Sequence, residues 1–372
     1  MISPKEFYDV LKRNEIEFFT GVPDSLLKDF CAYVTNNSRT ENHVIAANEG
    51  NAVSVAKGYY LATNKFGLVY MQNSGLGNAI NPLTSLADKE VYSTPMLLLI
   101  GWRGEPNVKD EPQHVKQGRI TLGMLENLGI PYKILDDNFE KIIKEAKEYM
   151  EKEKAPYAIV VKKRTFEEYK LQNEKKINYE LNREEALRII IPLLEKEDIV
   201  VSTTGKTSRE LFELRKLRKE GHEKDFLTVG GMGHSSSIAL GIALQKQNRN
   251  VYCLDGDGSL IMHMGALSTI GLSKLKNFKH IVINNFAHDS VGGQSTASHN
   301  IDIPMIAKAN GYLETFFSET EKEIKENIEK IKNMQGPILL EIKVNKGARK
   351  NLGRPTITPR ENKEDFMNFL KD

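Results

Sequence analysis

The chain has 372 residues, 40% hydrophobic and 27% charged, the balance of a globular protein long enough for two or three domains. Its 52 Lys and Arg nearly cancel its 50 Asp and Glu, and a net charge of +2 argues against a nucleic-acid partner held by phosphate neutralisation. Two cysteines build neither a disulfide framework nor a cysteine-rich zinc site; no stretch reaches the roughly 20 apolar residues of a membrane span, and residues 1–6 lack a signal-peptide pattern, so a cytoplasmic protein with no membrane partner is expected.

Short β-branched runs alternate with amphipathic stretches from the first residues on. Residues 16–19, 44–46, 67–71, 96–101 and 157–161 are predicted strands, and 26–36, 50–63 and 78–86 predicted helices. From Lys163 to Arg183 the chain turns polar, with few apolar anchors, and reads as a linker. Strands are predicted again at 198–202, 226–229, 250–254, 280–284 and 337–342, with helices between them. Strands separated by helices form parallel sheets covered on both faces. The expected fold is α/β: two doubly wound parallel-sheet domains, residues 1–165 and 184–372, joined by a linker at 166–183 with no middle domain. No sequence period marks one half as a repeat of the other.

Two local patterns point elsewhere and fall short. Ser202-Thr-Thr-Gly-Lys-Thr207 ends like a phosphate-binding loop, but Val200 stands where that motif requires glycine. Gly231-Met-Gly-His-Ser, with Asp255 24 residues after Gly231, approximates a dinucleotide-binding fingerprint. Ser236 occupies its third glycine position, and Asp255 runs straight into Gly256-Asp257-Gly258. A nicotinamide-dependent dehydrogenase is the distant alternative this leaves.

The chemistry concentrates in Leu254-Asp-Gly-Asp-Gly-Ser-Leu260 and Val282-Ile-Asn-Asn-Phe286, each at the C-terminal end of a predicted strand, with a helical stretch of some two dozen residues between them. Neighbouring strand ends line the ligand crevice of an open parallel sheet, so Asp257 and Asn285 can converge on one ion. A carboxylate and an amide oxygen are hard donors suited to a magnesium ion shared with phosphate oxygens. Gly258 and Ser259 begin the next helix, where free amides favour an anion. This pair of segments resembles the motif of the thiamine-diphosphate-dependent enzymes, in which Gly-Asp-Gly is followed by Asn-Asn about that far downstream.

The resemblance implies thiamine diphosphate and Mg2+ as cofactors, the metal held by Asp257, Asn285 and the backbone carbonyl of Ala287. It places Thr204, Gly205 and Lys206 against the diphosphate, together with Gly256, Gly258 and Ser259, and Met232 beneath the thiazolium ring. Ala46-Ala-Asn-Glu-Gly-Asn-Ala-Val-Ser-Val-Ala-Lys-Gly58 resembles the segment that touches the pyrimidine, which makes Glu49 the residue that drives ylide formation. An ordinary reading of Glu49 is a helix N-terminal charge favoured by the macrodipole.

Most decarboxylases of 2-oxo acids in this family carry a third domain, for which the linker leaves no room. Gly21-Val-Pro-Asp-Ser-Leu-Leu27, Tyr70-Met-Gln-Asn-Ser-Gly-Leu-Gly-Asn78, Gly101-Trp-Arg-Gly-Glu-Pro106, Asp110-Glu-Pro-Gln-His-Val-Lys-Gln-Gly118, Ser290-Val-Gly-Gly-Gln294 and Asn351-Leu-Gly-Arg-Pro355 are similar to the compact branch acting on phosphonopyruvate. The implied reaction converts 3-phosphonopyruvate, a small anionic 2-oxo acid, to phosphonoacetaldehyde and carbon dioxide; a sulfopyruvate decarboxylase is the alternative, since both anions call for the same donors. Arg103 and His114 are the candidate substrate-binding pair, with His114 also a proton donor and Lys109 and Lys116 nearby. Asp24 and Ser25 are candidate catalytic residues, although Ser25 also suits a helix cap. Arg349, Lys350 and Arg354 form a basic cluster of open role. The family also implies a homodimer or higher homo-oligomer, with sites at the subunit interface.

Overall fold

The computed structural model describes residues 1–172 and 178–371, so the centre of the expected linker, residues 173–177, lies outside the described residues. The chain divides into two compact units, Met1–Glu174 with Ser290–Gln294, and Lys175–Asp289 with Ser295–Asp372. Among the described residues no helix is long and apolar enough to cross a membrane.

The first unit runs α1 (Pro4–Arg13), β1 (Phe18–Gly21), α2 (Lys28–Asn37), β2 (His43–Ile45), α3 (Glu49–Thr63), β3 (Gly67–Gln72), α4 (Leu76–Pro82), β4 (Leu97–Gly101), α5 (Pro112–Asn127), β5 (Tyr132–Ile134), α6 (Phe139–Glu153) and β6 (Tyr157–Val161). Its sheet is parallel, in the order β2-β1-β3-β4-β6-β5. Side chains alternate across the strands. Leu68, Tyr70, Leu97 and Leu99 pack with Phe7, Phe30 and Ile143 of α1, α2 and α6. Val69, Met71, Leu98 and Ile100 pack with Ala52, Ala79 and Leu125 of α3, α4 and α5. Burial on both faces explains why the central strands read as continuous apolar runs.

The second unit runs α7 (Arg183–Ile190), β7 (Ile199–Ser202), α8 (Lys206–Leu217), β8 (Asp225–Leu227), α9 (Ser235–Gln245), β9 (Val251–Gly256), α10 (Asp257–Met262), α11 (Ala266–Ser273), β10 (Phe278–Asn284), α12 (Ile303–Ala309), β11 (Glu314–Ser318), α13 (Glu321–Lys332), β12 (Ile338–Lys343) and α14 (Pro359–Phe369). Its order is β11-β12-β10-β9-β7-β8, again parallel. Numbered within its own unit and read from the matching edge, each sheet has its strands in the order 2-1-3-4-6-5. The order reverses beside the first strand of each unit, which is where a doubly wound sheet opens its ligand crevice.

Two strands go beyond the expectation, β5 and β11, and both are sheet edges. Half-exposed edges carry polar residues that break the apolar run, such as Lys133 in β5. The single helix expected between Asp257 and Val282 is two, α10 and α11, separated by His263 to Gly265. The linker's first part is anchored: Phe166 is buried and stacks on Phe30 at 5.5 Å between ring centroids.

Candidate active site

In the first unit every candidate residue lies beyond the C-terminal end of a strand. Glu49 opens α3, which Asn48 caps by accepting a hydrogen bond from Asn51 N at 2.9 Å. The Glu49 side chain is buried, and Asn78 Nδ2 donates to its Oε2 at 2.8 Å. Burial pushes the carboxyl above its ordinary range, and the Asn78 hydrogen bond partly opposes that. Two glycines let α3 and α4 approach: a Cβ at Gly50 would meet the Asn78 carbonyl at 2.8 Å, and Gly75 faces the Glu49 carboxylate itself. A buried carboxylate held by amide groups, with no cation paired to it among the described residues, is a poor surface charge and a good proton carrier.

Asp24, Ser25 and Arg103 come together in one network. Asp24 is fully buried; it accepts from Gln72 Nε2 at 2.6 Å and from Leu26 N at 2.8 Å, while burial raises its carboxyl. Arg103 forks onto Asp110, with Nε 2.8 Å from Oδ2 and Nη2 on Oδ1, and its Nη1 donates to Ser25 Oγ at 2.8 Å. Asn73 holds the Arg103 backbone from both sides, donating to its carbonyl at 2.8 Å and accepting from its amide at 3.2 Å. His114, in the first turn of α5, is buried, and burial followed by the Arg103 charge pushes it down to about 4. It is therefore a neutral imidazole at neutral pH. Lys109 and Lys116 are exposed.

In the second unit three turns carry the expected cofactor contacts. Gly205 caps α8 at φ 91°, a left-handed conformation that favours glycine between Thr204 and Lys206. The Lys206 amine pairs with Asp289, 3.0 Å from its carbonyl and 3.1 Å from Oδ2. Met232 lies in the turn between β8 and α9, and its Cε would lie 3.4 Å from a Cβ at Gly258. Asp257 is buried at the start of α10, where Thr296 Oγ1 and Ser298 Oγ donate to its Oδ2, the latter at 2.9 Å. Burial raises its carboxyl to about 6, against these hydroxyls and the Asn285 backbone.

Asn285 is buried at the end of β10, with Ala287 two residues on and Phe286 between them at φ 59°. A bulky residue in that conformation is strained and marks a constrained turn. Asn284 is structural by contrast: its Nδ2 donates to Glu341 at 2.7 Å, and its Oδ1 accepts from Phe286 N at 2.9 Å.

A buried carboxylate steadied by hydroxyls and amides, beside an amide oxygen and a strained carbonyl turn, is a hard-oxygen donor set. It fits a magnesium ion. The dehydrogenase alternative fares badly, because Asp255 is fully buried and occupied by Gly256 N at 2.9 Å and by His280; it has no reach to a ribose. In the basic cluster, Arg349 pairs with Glu184 at 3.0 Å and with Glu213. Sequence reasoning missed Gln72, Asn73, Gly75 and Asn78, although all lie in the resembling string 70–78. Asp110 is in another such string, whereas Thr296 and Ser298 sit in a polar run without a motif.

The sequence matches, over residues 5–123, the family described as thiamine pyrophosphate enzyme, N-terminal TPP binding domain, and, over 203–342, its C-terminal TPP binding domain. Phosphonopyruvate decarboxylase of Streptomyces viridochromogenes is 32% identical, covering 94% of this chain and 90% of that protein. The protein of the same name from Streptomyces hygroscopicus is 31% identical, over 100% of this chain and 95% of its own. Sulfopyruvate decarboxylase of Methanosarcina acetivorans is 27% identical, over 100% and 98%. Both domains are those of a thiamine-diphosphate-binding enzyme. The chain belongs to the phosphonopyruvate decarboxylase family of these enzymes.

Proposed function

We propose that this protein decarboxylates 3-phosphonopyruvate to phosphonoacetaldehyde and carbon dioxide, with thiamine diphosphate and magnesium as cofactors. The observation that carries the reading is the buried Glu49 carboxylate, capped into α3 and held by Asn78. A protein that only bound the cofactor would not need it. The likeness to two phosphonopyruvate decarboxylases over nearly the whole chain supports the choice of substrate.

In this reading residues 1–165 form the pyrimidine side and 184–372 the diphosphate side. Asp257, Asn285 Oδ1 and the Ala287 carbonyl would hold the magnesium. Thr204, Gly205 and Lys206, with Gly256, Gly258 and Ser259, would hold the diphosphate, and Met232 would support the thiazolium ring. Bound thiamine diphosphate supplies the sink for the electrons released as carbon dioxide leaves. Glu49 carries the proton exchanged with the pyrimidine ring, which its raised carboxyl suits.

Arg103 and Ser25 face the phosphonate, the guanidinium held in place by Asp110, and Asp24 fixes the strand end beside them. His114 donates a proton to the product carbon. Alone it is neutral at neutral pH, and an anionic substrate beside it would push it back up. We further propose a homodimer or higher homo-oligomer, with Glu49 of one copy and Asp257 of another completing each site, working in the cytoplasm, where the two buried free cysteines are at home.

The second reading is sulfopyruvate decarboxylation, favoured by the full-length relative of that name. Product identification with phosphonopyruvate, sulfopyruvate and pyruvate in parallel decides. Phosphonoacetaldehyde formed fastest supports the proposal, and turnover of sulfopyruvate alone overturns it.

A further inference from the structure

We propose that Asp289 is a positioning residue: its carboxylate, shared by the buried Arg183 guanidinium and the Lys206 ammonium, ties the turn after β10 to the first turn of α8, and the Lys206 ammonium serves this tie rather than the diphosphate. The proposal rests on the assignment of Asn285 and Ala287 to magnesium and of Thr204, Gly205 and Lys206 to the diphosphate.

The cluster begins at a buried charge. Arg183, in the first turn of α7, forks onto the fully buried Glu210 of α8, with Nε 2.7 Å from Oε2 and Nη2 2.9 Å from Oε1. That pair is neutral by itself. The remaining nitrogen, Nη1, donates to Asp289 Oδ2 at 3.1 Å, which brings a second carboxylate to the cluster. Lys206 supplies the second cation: its Nζ lies 3.1 Å from the same Oδ2 and donates to the Asp289 backbone carbonyl at 3.0 Å. Two carboxylates then meet two cations. The Asp289 side chain is only 12% exposed, so drawing Lys206 away would leave an excess negative charge that water reaches poorly.

The tie crosses the end of the sheet where the cofactor contacts are expected. β10, β9 and β7 are neighbours in that order, and strands lie about 4.8 Å apart, so the turns after β10 and β7 are separated by roughly 10 Å. Lys206 heads α8 after the turn that follows β7, and Asp289 lies two residues beyond Ala287. Their contact therefore bridges the end of β9, which leads into Asp257.

The turn after β10 needs such a hold. Phe286, at φ 59°, is strained, and a strained residue persists only where its surroundings over-determine it. One hold is Thr296 N, which donates to the Phe286 carbonyl at 3.1 Å, together with the antiparallel bridge between Ala287 and Ser295. The other is Lys206, which grips both the backbone and the side chain of Asp289. Ala287 sits between Phe286 and Asp289 in the chain, so its carbonyl is fixed from both directions. With its ammonium engaged in this way, Lys206 offers the diphosphate its backbone amide, one of the free N–H groups at the head of α8.

The test is a double-mutant cycle on the full chain. In hydrogen–deuterium exchange on the free protein, Asp289→Asn and Lys206→Met should each speed exchange at 286–289 by about ten-fold, the worth of one charge-assisted hydrogen bond. The double variant should be little faster than either, because the two residues act as one tie. In calorimetric titration, Asp289→Asn should weaken thiamine diphosphate binding and raise the magnesium concentration it requires, each by roughly ten-fold. A Lys206 ammonium that served the diphosphate would instead be freed by Asp289→Asn, and affinity would hold or rise. That result, additive effects on exchange, or unchanged exchange at 286–289 would overturn the tie. If Asp289→Asn does not fold, Lys206→Gln, which loses the charge, carries the same expectation for exchange. Exchange is read without thiamine diphosphate, so a wild-type protein that failed to bind the cofactor would refute the proposed function while the tie was still judged.

Discussion

Gly75 stands against the carboxylate of Glu49: a Cβ at this glycine would lie 2.5 Å from Glu49 Cδ. Gly75→Ala must therefore displace the acid, and should resemble Glu49→Gln in its effect. Glu49→Gln keeps size and hydrogen bonding but cannot carry the proton, so exchange of the thiazolium C2 proton of bound cofactor should slow by about 10²–10⁴-fold. Exchange at the wild-type rate in Glu49→Gln would remove Glu49 from the reaction.

Asn78 donates to the ionised form of Glu49 and so opposes the effect of burial. Asn78→Ala removes the group that favours the anion, and the carboxyl then keeps its proton to higher pH. The acid limb of the kcat/KM profile should move upward in pH; a shift downward would contradict the role given to Asn78.

Asp257→Ala should leave a folded protein, since hydroxyls rather than core contacts meet its carboxylate. It should abolish retention of thiamine diphosphate in the presence of magnesium. Calorimetric titration checks this, and wild-type affinity would sink the metal assignment.

The Arg103 fork is bidentate to Asp110, a geometry that lysine cannot reproduce. Arg103→Lys and Asp110→Asn should both raise KM for the anionic substrate by roughly 10–100-fold, the scale of a charged hydrogen bond, with a smaller effect on kcat. Steady-state kinetics with the phosphonate and with pyruvate separates a phosphonate contact from general damage, which would affect both alike.

Inactive Glu49→Gln and Asp257→Ala chains, mixed and allowed to exchange subunits, should recover part of the activity if sites form between copies. No recovery, with exchange confirmed by mass spectrometry, would place both residues of a working site on one chain.

How far the sequence could be read follows from where each residue is buried. Central strands such as β3 and β10 announced themselves because both faces are buried and each carries an unbroken apolar run, at 68–71 and 281–283. The edges β5 and β11 did not, because half of each meets water and carries polar side chains. Asp257 and Asn285 became candidates through two spaced motifs and Glu49 through one resembling segment, whereas Thr296 and Ser298, which hold Asp257, approach it through the fold from 39 and 41 residues away. Phe166 escaped notice for a related reason: a lone aromatic in a polar run has no period, yet it stacks on Phe30. The shared strand order of the two sheets was equally hidden, since topology leaves no repeat in the letters when side chains diverge.

That shared order has a genetic corollary. Each sheet is clad on both faces by helices from its own unit, and the stretch between them is tethered at one end by Phe166 and at the other by Leu181, each buried in its own core. Cleaving the chain between these tethers would leave two shorter polypeptides, each still owning the hydrophobic clusters on both faces of its own sheet. Two such halves should therefore each be able to fold, and fission of the gene would cost them chiefly the raised concentration that a covalent leash confers.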